Sequence, residues 1–202
     1  MTDRTGHPFD ILIRGGTVID GTGQPRFDAD VGIRDGLIAA IGDLSEAQAS
    51  TTLEARGKIV APGFIDSHTH DDHAVLSDPG MAFKISQGVT TVVTGNCGIS
   101  LAPLRPDLPR PMPQSLLGAG DQSPRTFERF ADYLEVLRRA PASVNVAAMV
   151  GHTTLRLMTM DSLDRAATPD EIAAMRGCSQ GNCKSQLHKA RAKLRHLLGK
   201  AA

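Results

Sequence analysis

His68-Thr69-His70 and Gly95-Asn96-Cys97-Gly98 are the segments whose residue types and spacing could do chemistry. Histidines at alternate positions of a strand project to the same side, so two imidazole nitrogens can converge on one metal ion. A cysteine thiolate is a soft ligand suited to zinc, and the glycines around it let the backbone turn sharply toward a neighbouring strand. His68, His70 and Cys97 therefore form a candidate metal-binding set. Asp66, Asp71 and Asp72 crowd the same place and could orient the imidazoles, although Asp71 and Asp72 also read as a solvated acidic loop. Cys97 has a plainer reading as a buried free thiol, since cysteine is among the most buried residue types. His152 reads as a substrate contact or a structural histidine, with no metal role.

Such a site needs strands whose carboxyl ends lie side by side. The apolar run Ile59 to Ile65 predicts a buried strand ending in the polar DSHTHDDH stretch. Val89 to Thr94 predicts a second, ending at Gly95, and Val144 to Val150 a third, ending at Gly151-His152. Between them fall a short helical stretch at Met81 to Gln87, a long proline-rich loop from Ala102 to Pro124, and a helix with Phe127, Phe130, Leu134 and Leu137 on one face. Alternation of strand and helix implies a parallel sheet, and barrel enzymes build their sites at the carboxyl ends of such strands. Upstream, Ile11 to Ile19 predicts a hairpin turning at Gly15-Gly16, and Ala29 to Ile41 another turning at Asp35-Gly36. Downstream, Thr168-Pro169 opens a helix with a threonine cap, and a second, longer helix runs from Ser179 to about Leu198.

The chain has 202 residues, short of the roughly 250 of a usual (β/α)₈ barrel. Hydrophobic residues make up 41% and charged residues 22%, which fits a folded chain rather than a disordered one. No apolar run is long enough to span a membrane, and the opening MTDRTGHPFD lacks a secretory layout, so a cytoplasmic location without membrane association is expected. The odd number of cysteines, Cys97, Cys178 and Cys183, argues against a disulfide framework. With no Trp and one Tyr, stacking on nucleic-acid bases has little to work with. The zero net charge conceals a split: residues 176–202 hold seven basic and no acidic side chains, which leaves 15 basic and 22 acidic in residues 1–175, or about −7.

The segment Ile11-Leu12-Ile13-Arg14-Gly15-Gly16-Thr17-Val18-Ile19-Asp20-Gly21, followed by Val60-Ala61-Pro62-Gly63-Phe64-Ile65-Asp66-Ser67-His68-Thr69-His70, resembles the amino-terminal part of the amidohydrolase superfamily. His70-Asp71-Asp72, Gly88 to Val93 and Gly95-Asn96-Cys97-Gly98 narrow the resemblance, over roughly residues 8–175, to the N-acyl-D-amino-acid deacylases. The resemblance implies a small β-sandwich beside a metal-dependent (β/α)₈ barrel, and zinc-assisted hydrolysis of the N-acyl amide of D-amino acids. It implies Zn²⁺ on His68, His70 and Cys97, polarising the amide carbonyl and activating water. The family's two further histidine ligands and its general-base aspartate find no match in these residues, so no catalytic residue is assigned and little or no activity is expected.

Residues 177–195 resemble the recognition helix of region 4 of bacterial RNA polymerase sigma factors, a helix-turn-helix that enters the major groove. That resemblance implies DNA contacts from Lys184, Ser185, His188, Lys189 and Arg191, within residues 178–198, and a DNA-binding transcription protein as the alternative function. The expected fold class is α/β: a β-sandwich portion over 1–58, an incomplete amidohydrolase barrel over 59–175, and a basic, helix-turn-helix-like tail over 176–202, joined near Met175.

Overall fold

The computed structural model describes residues 9–105 and 125–198, so most of the proline-rich loop lies outside the described residues. The chain divides into two compact units, Met1–Gly63 and Phe64–Ala202.

The first unit is a five-stranded sheet of β1 (Phe9–Val18), β2 (Phe27–Arg34), β3 (Leu37–Gly42), β4 (Ala49–Glu54) and β5 (Ile59–Val60). The order is β3-β2-β1-β4, with β5 also on β1; β2 is antiparallel to β1 and β3, whereas β4 and β5 run parallel to β1. The β2–β3 hairpin turns at Asp35-Gly36 as its sequence predicts. The hairpin expected at Gly15-Gly16 does not form. β1 passes straight through as one strand with a register shift between Ile13 and Gly16, and the Gly15 N–H donates to the Asp30 carboxylate at 2.7 Å. Phe9, Leu12, Val18, Val31 and Ala55 are buried, while Leu37 and Ile38 are exposed. Among the described residues this is one sheet rather than the two facing sheets of a sandwich.

The second unit is built on three parallel strands in the order β6-β7-β8: β6 (Phe64–Asp66), β7 (Val89–Thr94) and β8 (Asn145–Ala148). Its helices are α1 (Ala74–Ser77), α2 (Ala82–Ile85), α3 (Phe130–Arg139), α4 (His152–Thr159), α5 (Pro169–Met175) and α6 (Gln180–Leu198). The sheet is parallel, as strand and helix alternation implies. Three strands do not close a barrel, so β6 and β8 each have one unpaired edge among the described residues.

The expected buried strand from Ile59 to Ile65 is two pieces. Residues 61–63 are irregular, because Pro62 has no N–H to give a ladder, and Ile59, Phe64 and Ile65 are exposed. The core instead gathers in two clusters. Val75, Met81, Val92 and Val144 form one, and Leu101, Ala102, Phe127 and Tyr133 the other. Tyr133, rather than Leu134, is the buried anchor of α3, its ring 5.5 Å from that of Phe127. Phe127 precedes the helix and pairs its backbone with Leu101 and Leu104. No helix among the described residues is long and apolar enough to cross a membrane.

Candidate metal centre

β6 ends at Asp66, so His68-Thr69-His70 lies in the loop beyond the strand rather than at alternate strand positions. The reason is the polar anchoring on either side of it. The Lys84 ammonium, carried on α2, sits 2.6 Å from Asp66 Oδ2 and 2.9 Å from Asp71 Oδ2, and donates to Thr69 Oγ1 at 3.3 Å. Asp66 Oδ1 also accepts from the His68 N–H at 3.3 Å. Thr69 is thereby drawn inward and buried, and the flanking His68 and His70 are exposed. The Lys84 hydrogen bond is the main influence holding the Asp66 carboxyl below its usual range.

The next strand end is tied to this loop, since Asn96 Nδ2 donates to the Ser67 carbonyl at 2.8 Å. Gly95 has φ +78, and a Cβ there would lie 2.1 Å from the Met149 carbonyl oxygen, so β7 and β8 can run together only with glycine at this point. Cys97 follows, half-buried, its thiol donating to the Ile99 carbonyl at 3.6 Å. Asp72 is buried; loss of solvent pushes its carboxyl up to about 6, against backbone hydrogen bonds that favour the charged form. The Tyr133 hydroxyl donates to the Asp72 carbonyl at 3.2 Å, and burial, followed by the nearby Asp72 charge, raises it well above the usual tyrosine range.

The donor set suits zinc in kind, two imidazoles and a thiol on the loops that leave adjacent strands. Its members are not gathered: among the described residues no three His, Cys, Asp or Glu side chains come together closely enough to hold a metal ion. His152 is the first residue of α4 rather than the last of a strand, because Gly151 takes the extended N-cap position. It lines an open groove of about 430 Å³ with Leu155, Arg156, Ile172, Met175 and Arg176, a lining that includes neither His68 nor His70. Lys184, Ser185, His188, Lys189 and Arg191 are all exposed on α6. Lys84 went unrecognised in the sequence; a lone cation in the apolar Ala-Phe-Lys-Ile turn was the available signal.

The sequence pattern of the amidohydrolase family matches residues 51–193. The chain belongs to the amidohydrolase family. It is 58% identical over 180 residues to a D-aminoacylase of Alcaligenes xylosoxydans xylosoxydans, an alignment covering 89% of this chain and 37% of that protein. A crystal structure of D-aminoacylase superposes with a TM-score of 0.77 at 56% identity, covering 85% of this chain and 36% of the other. An N-acyl-D-glutamate deacylase from Bordetella bronchiseptica, solved with zinc and a phosphonate inhibitor, gives 0.75 at 45% identity, covering 84% and 35%. This amidohydrolase chain thus spans little more than a third of the length of the relatives it matches, and its fold is a mixed α/β one like theirs. The family match runs on through most of α6, and these relatives lend no support to a DNA-binding function.

Proposed function

We propose that these 202 residues carry part of the zinc site of an N-acyl-D-amino-acid deacylase, with His68, His70 and Cys97 as ligands that stand apart in the structure and that zinc, on binding, would draw together. The observation that carries this reading is the Asn96–Ser67 hydrogen bond, which ties the cysteine-bearing loop of β7 to the histidine-bearing loop of β6. The identity to D-aminoacylase supports the substrate class, an N-acyl-D-amino acid. Zinc, when bound, supplies a Lewis acid that polarises the amide carbonyl. The chain's own residues hold the loop in place: Lys84 bridges Asp66 and Asp71 across the histidine pair, and Asn96 fixes the neighbouring loop against Ser67. No carboxylate in these residues is assigned as general base, a role worth roughly 10²- to 10⁴-fold in rate. These residues alone therefore turn over N-acyl-D-amino acids slowly or not at all.

Zinc content and hydrolysis of N-acetyl-D-amino acids, measured on one preparation, test both parts. Bound zinc that disappears in His68→Ala, His70→Ala and Cys97→Ala, with turnover at background, is the expected result. Zinc retained by all three variants removes the ligand assignment, and robust hydrolysis removes the claim of low activity. Cobalt(II) in place of zinc adds a second readout, a thiolate-to-cobalt absorption band that Cys97→Ala abolishes.

A further inference from the structure

The corner between α5 and α6 holds two thiols that the metal site does not use. α5 ends with the Gly177 N–H bonded to the Ala174 carbonyl and the Cys178 N–H bonded to the Ala173 carbonyl, both at 3.0 Å. With Gly177 at φ +58, this is a Schellman cap, which fixes Cys178 immediately beyond the helix. α6 starts at once. The Ser179 carbonyl accepts from the Cys183 N–H at 3.1 Å and its hydroxyl accepts from the Asn182 N–H at 3.3 Å, so Cys183 sits in the first turn. Two adjoining caps thus aim the side chains at each other, and the sulfur atoms lie 2.9 Å apart as free thiols. Cys178 is half-buried and reachable from solvent, whereas Cys183 is buried. Among the described side chains of α6, Cys183 is the buried one, lining an apolar groove with Pro169, Ile172, Arg176 and Leu187.

We propose that Cys178 and Cys183 form a thiol–disulfide site that, on oxidation by a low-molecular-weight disulfide such as glutathione disulfide, locks α6 onto the end of α5. The Cys178 thiol loses its proton to water, and its sulfur bonds to one sulfur of glutathione disulfide as that S–S bond breaks and one glutathione thiolate leaves. The Cys183 thiol then loses its proton to water and bonds to the Cys178 sulfur, expelling the second glutathione thiolate, and the two glutathione thiolates take up the two protons released. Two protein thiols become one disulfide, and one glutathione disulfide becomes two glutathione thiols. A disulfide needs sulfur atoms about 2.05 Å apart, so closure asks for a movement of less than about 1 Å from the caps as they stand. The mixed disulfide is short-lived because the resolving thiol is already in place.

The site is distinct from the proposed zinc ligands, since Cys97 lies in the loop after β7. The hydrogen bond to Cys183, helped by burial, holds the Cys178 thiol above its usual range, against the opposing pull of Arg176, so capture of glutathione disulfide accelerates as pH rises. The test incubates the full chain with glutathione disulfide under native conditions, then alkylates, digests and maps the cysteines by mass spectrometry. The expected result is loss of two of the three alkylatable thiols, one crosslinked peptide joining Cys178 to Cys183, and Cys97 still alkylated. The oxidised chain should also show slower amide exchange in the first two turns of α6, an effect reversed by dithiothreitol. Cys178→Ser, at the less buried position, should abolish both changes while Cys97→Ser leaves them intact. A stable glutathione adduct on Cys178, three free thiols, a crosslink through Cys97, or exchange in α6 that oxidation leaves unchanged would each overturn the proposal.

Discussion

Ser100 and Thr154, 54 residues apart in the chain, exchange two hydrogen bonds: the Ser100 N–H donates to Thr154 Oγ1 at 2.9 Å, and that hydroxyl donates to the Ser100 carbonyl at 3.2 Å. Both residues are buried, and Ser100 Oγ goes on to accept from the Gly151 N–H at 2.9 Å and to donate to the Ala102 carbonyl at 2.6 Å. One hydroxyl on α4 therefore satisfies the backbone of the loop after β7, which carries Cys97. Replacing Thr154 with Val keeps the shape and strands a buried N–H and carbonyl. The expected loss is about 1–3 kcal/mol. Urea unfolding followed by the near-ultraviolet circular dichroism of Tyr133, the chain's single tyrosine, reads it directly. An unchanged midpoint would mean that the loop holds itself.

Gly95→Ala strikes the same region from the other side. The added methyl group meets the Met149 carbonyl oxygen, and the backbone stays in the left-handed region, so β7 and β8 must separate. Clash and strain together should cost more than about 3 kcal/mol, enough to leave the second unit unfolded or aggregated. Gly98→Ala is the graded control, since its nearest neighbour, Thr153 Oγ1, lies 3.4 Å away. Equal soluble yields for the two variants would contradict the close approach.

Thr168 and Glu171 close a capping box on α5. The Glu171 N–H donates to Thr168 Oγ1 at 3.3 Å, and the Thr168 N–H donates to the Glu171 carboxylate at 2.7 Å. Thr168→Ala should cost about 1 kcal/mol of local stability. The Arg165 hydrogen bond, then that of the Thr168 backbone, brings the Glu171 carboxyl down to about 2. A carboxyl lowered in the folded state stabilises above its ordinary range, near 4.3, and that contribution fades as pH falls toward about 2. The protection of the α5 amides, measured as exchange relative to the intrinsic rate at each pH, should therefore fall between pH 4 and pH 2, and Glu171→Gln should flatten that dependence.

Locally encoded features were the legible ones. Thr168-Pro169 announces a helix start through side-chain and ring chemistry within four residues, and Val89 to Thr94 announces a strand by its β-branched run; both form, although within the strand only Val92 and Thr94 are buried. The continuity of β1 is not legible locally, because two glycines carry turn chemistry whether the chain turns or bulges, and Asp30, remote in sequence, decides the matter. α4 lacks a sequence signal of this kind, since its buried contact is a polar threonine bonded to Ser100 rather than an apolar stripe. The histidine pair was legible as a chemical motif but not as a geometry. Its orientation follows from Lys84, and nothing between residues 66 and 71 signals that a cation arrives from α2.

Asp72 supplies a pH dependence of opposite sign to that of Glu171. Its carboxyl rises from 3.8 to about 6 in the folded chain because it is buried, and Oδ1 has no hydrogen-bond partner. Between these values the folded chain holds a proton that the unfolded chain has released, so the stability of the second unit falls as pH rises from about 4 to about 6. The shift corresponds to roughly 2–3 kcal/mol, lost by pH 7. In Asp72→Asn the side chain carries no charge at any pH, and the Tyr133 hydroxyl keeps its partner because it bonds the backbone carbonyl rather than the carboxylate. The variant should match the parent near pH 4, exceed it at pH 7, and lose the slope between them. Chelator-treated protein, unfolded in urea at a series of pH values, makes the measurement free of metal binding at the neighbouring histidines. A slope that survives in Asp72→Asn would assign the proton to another group.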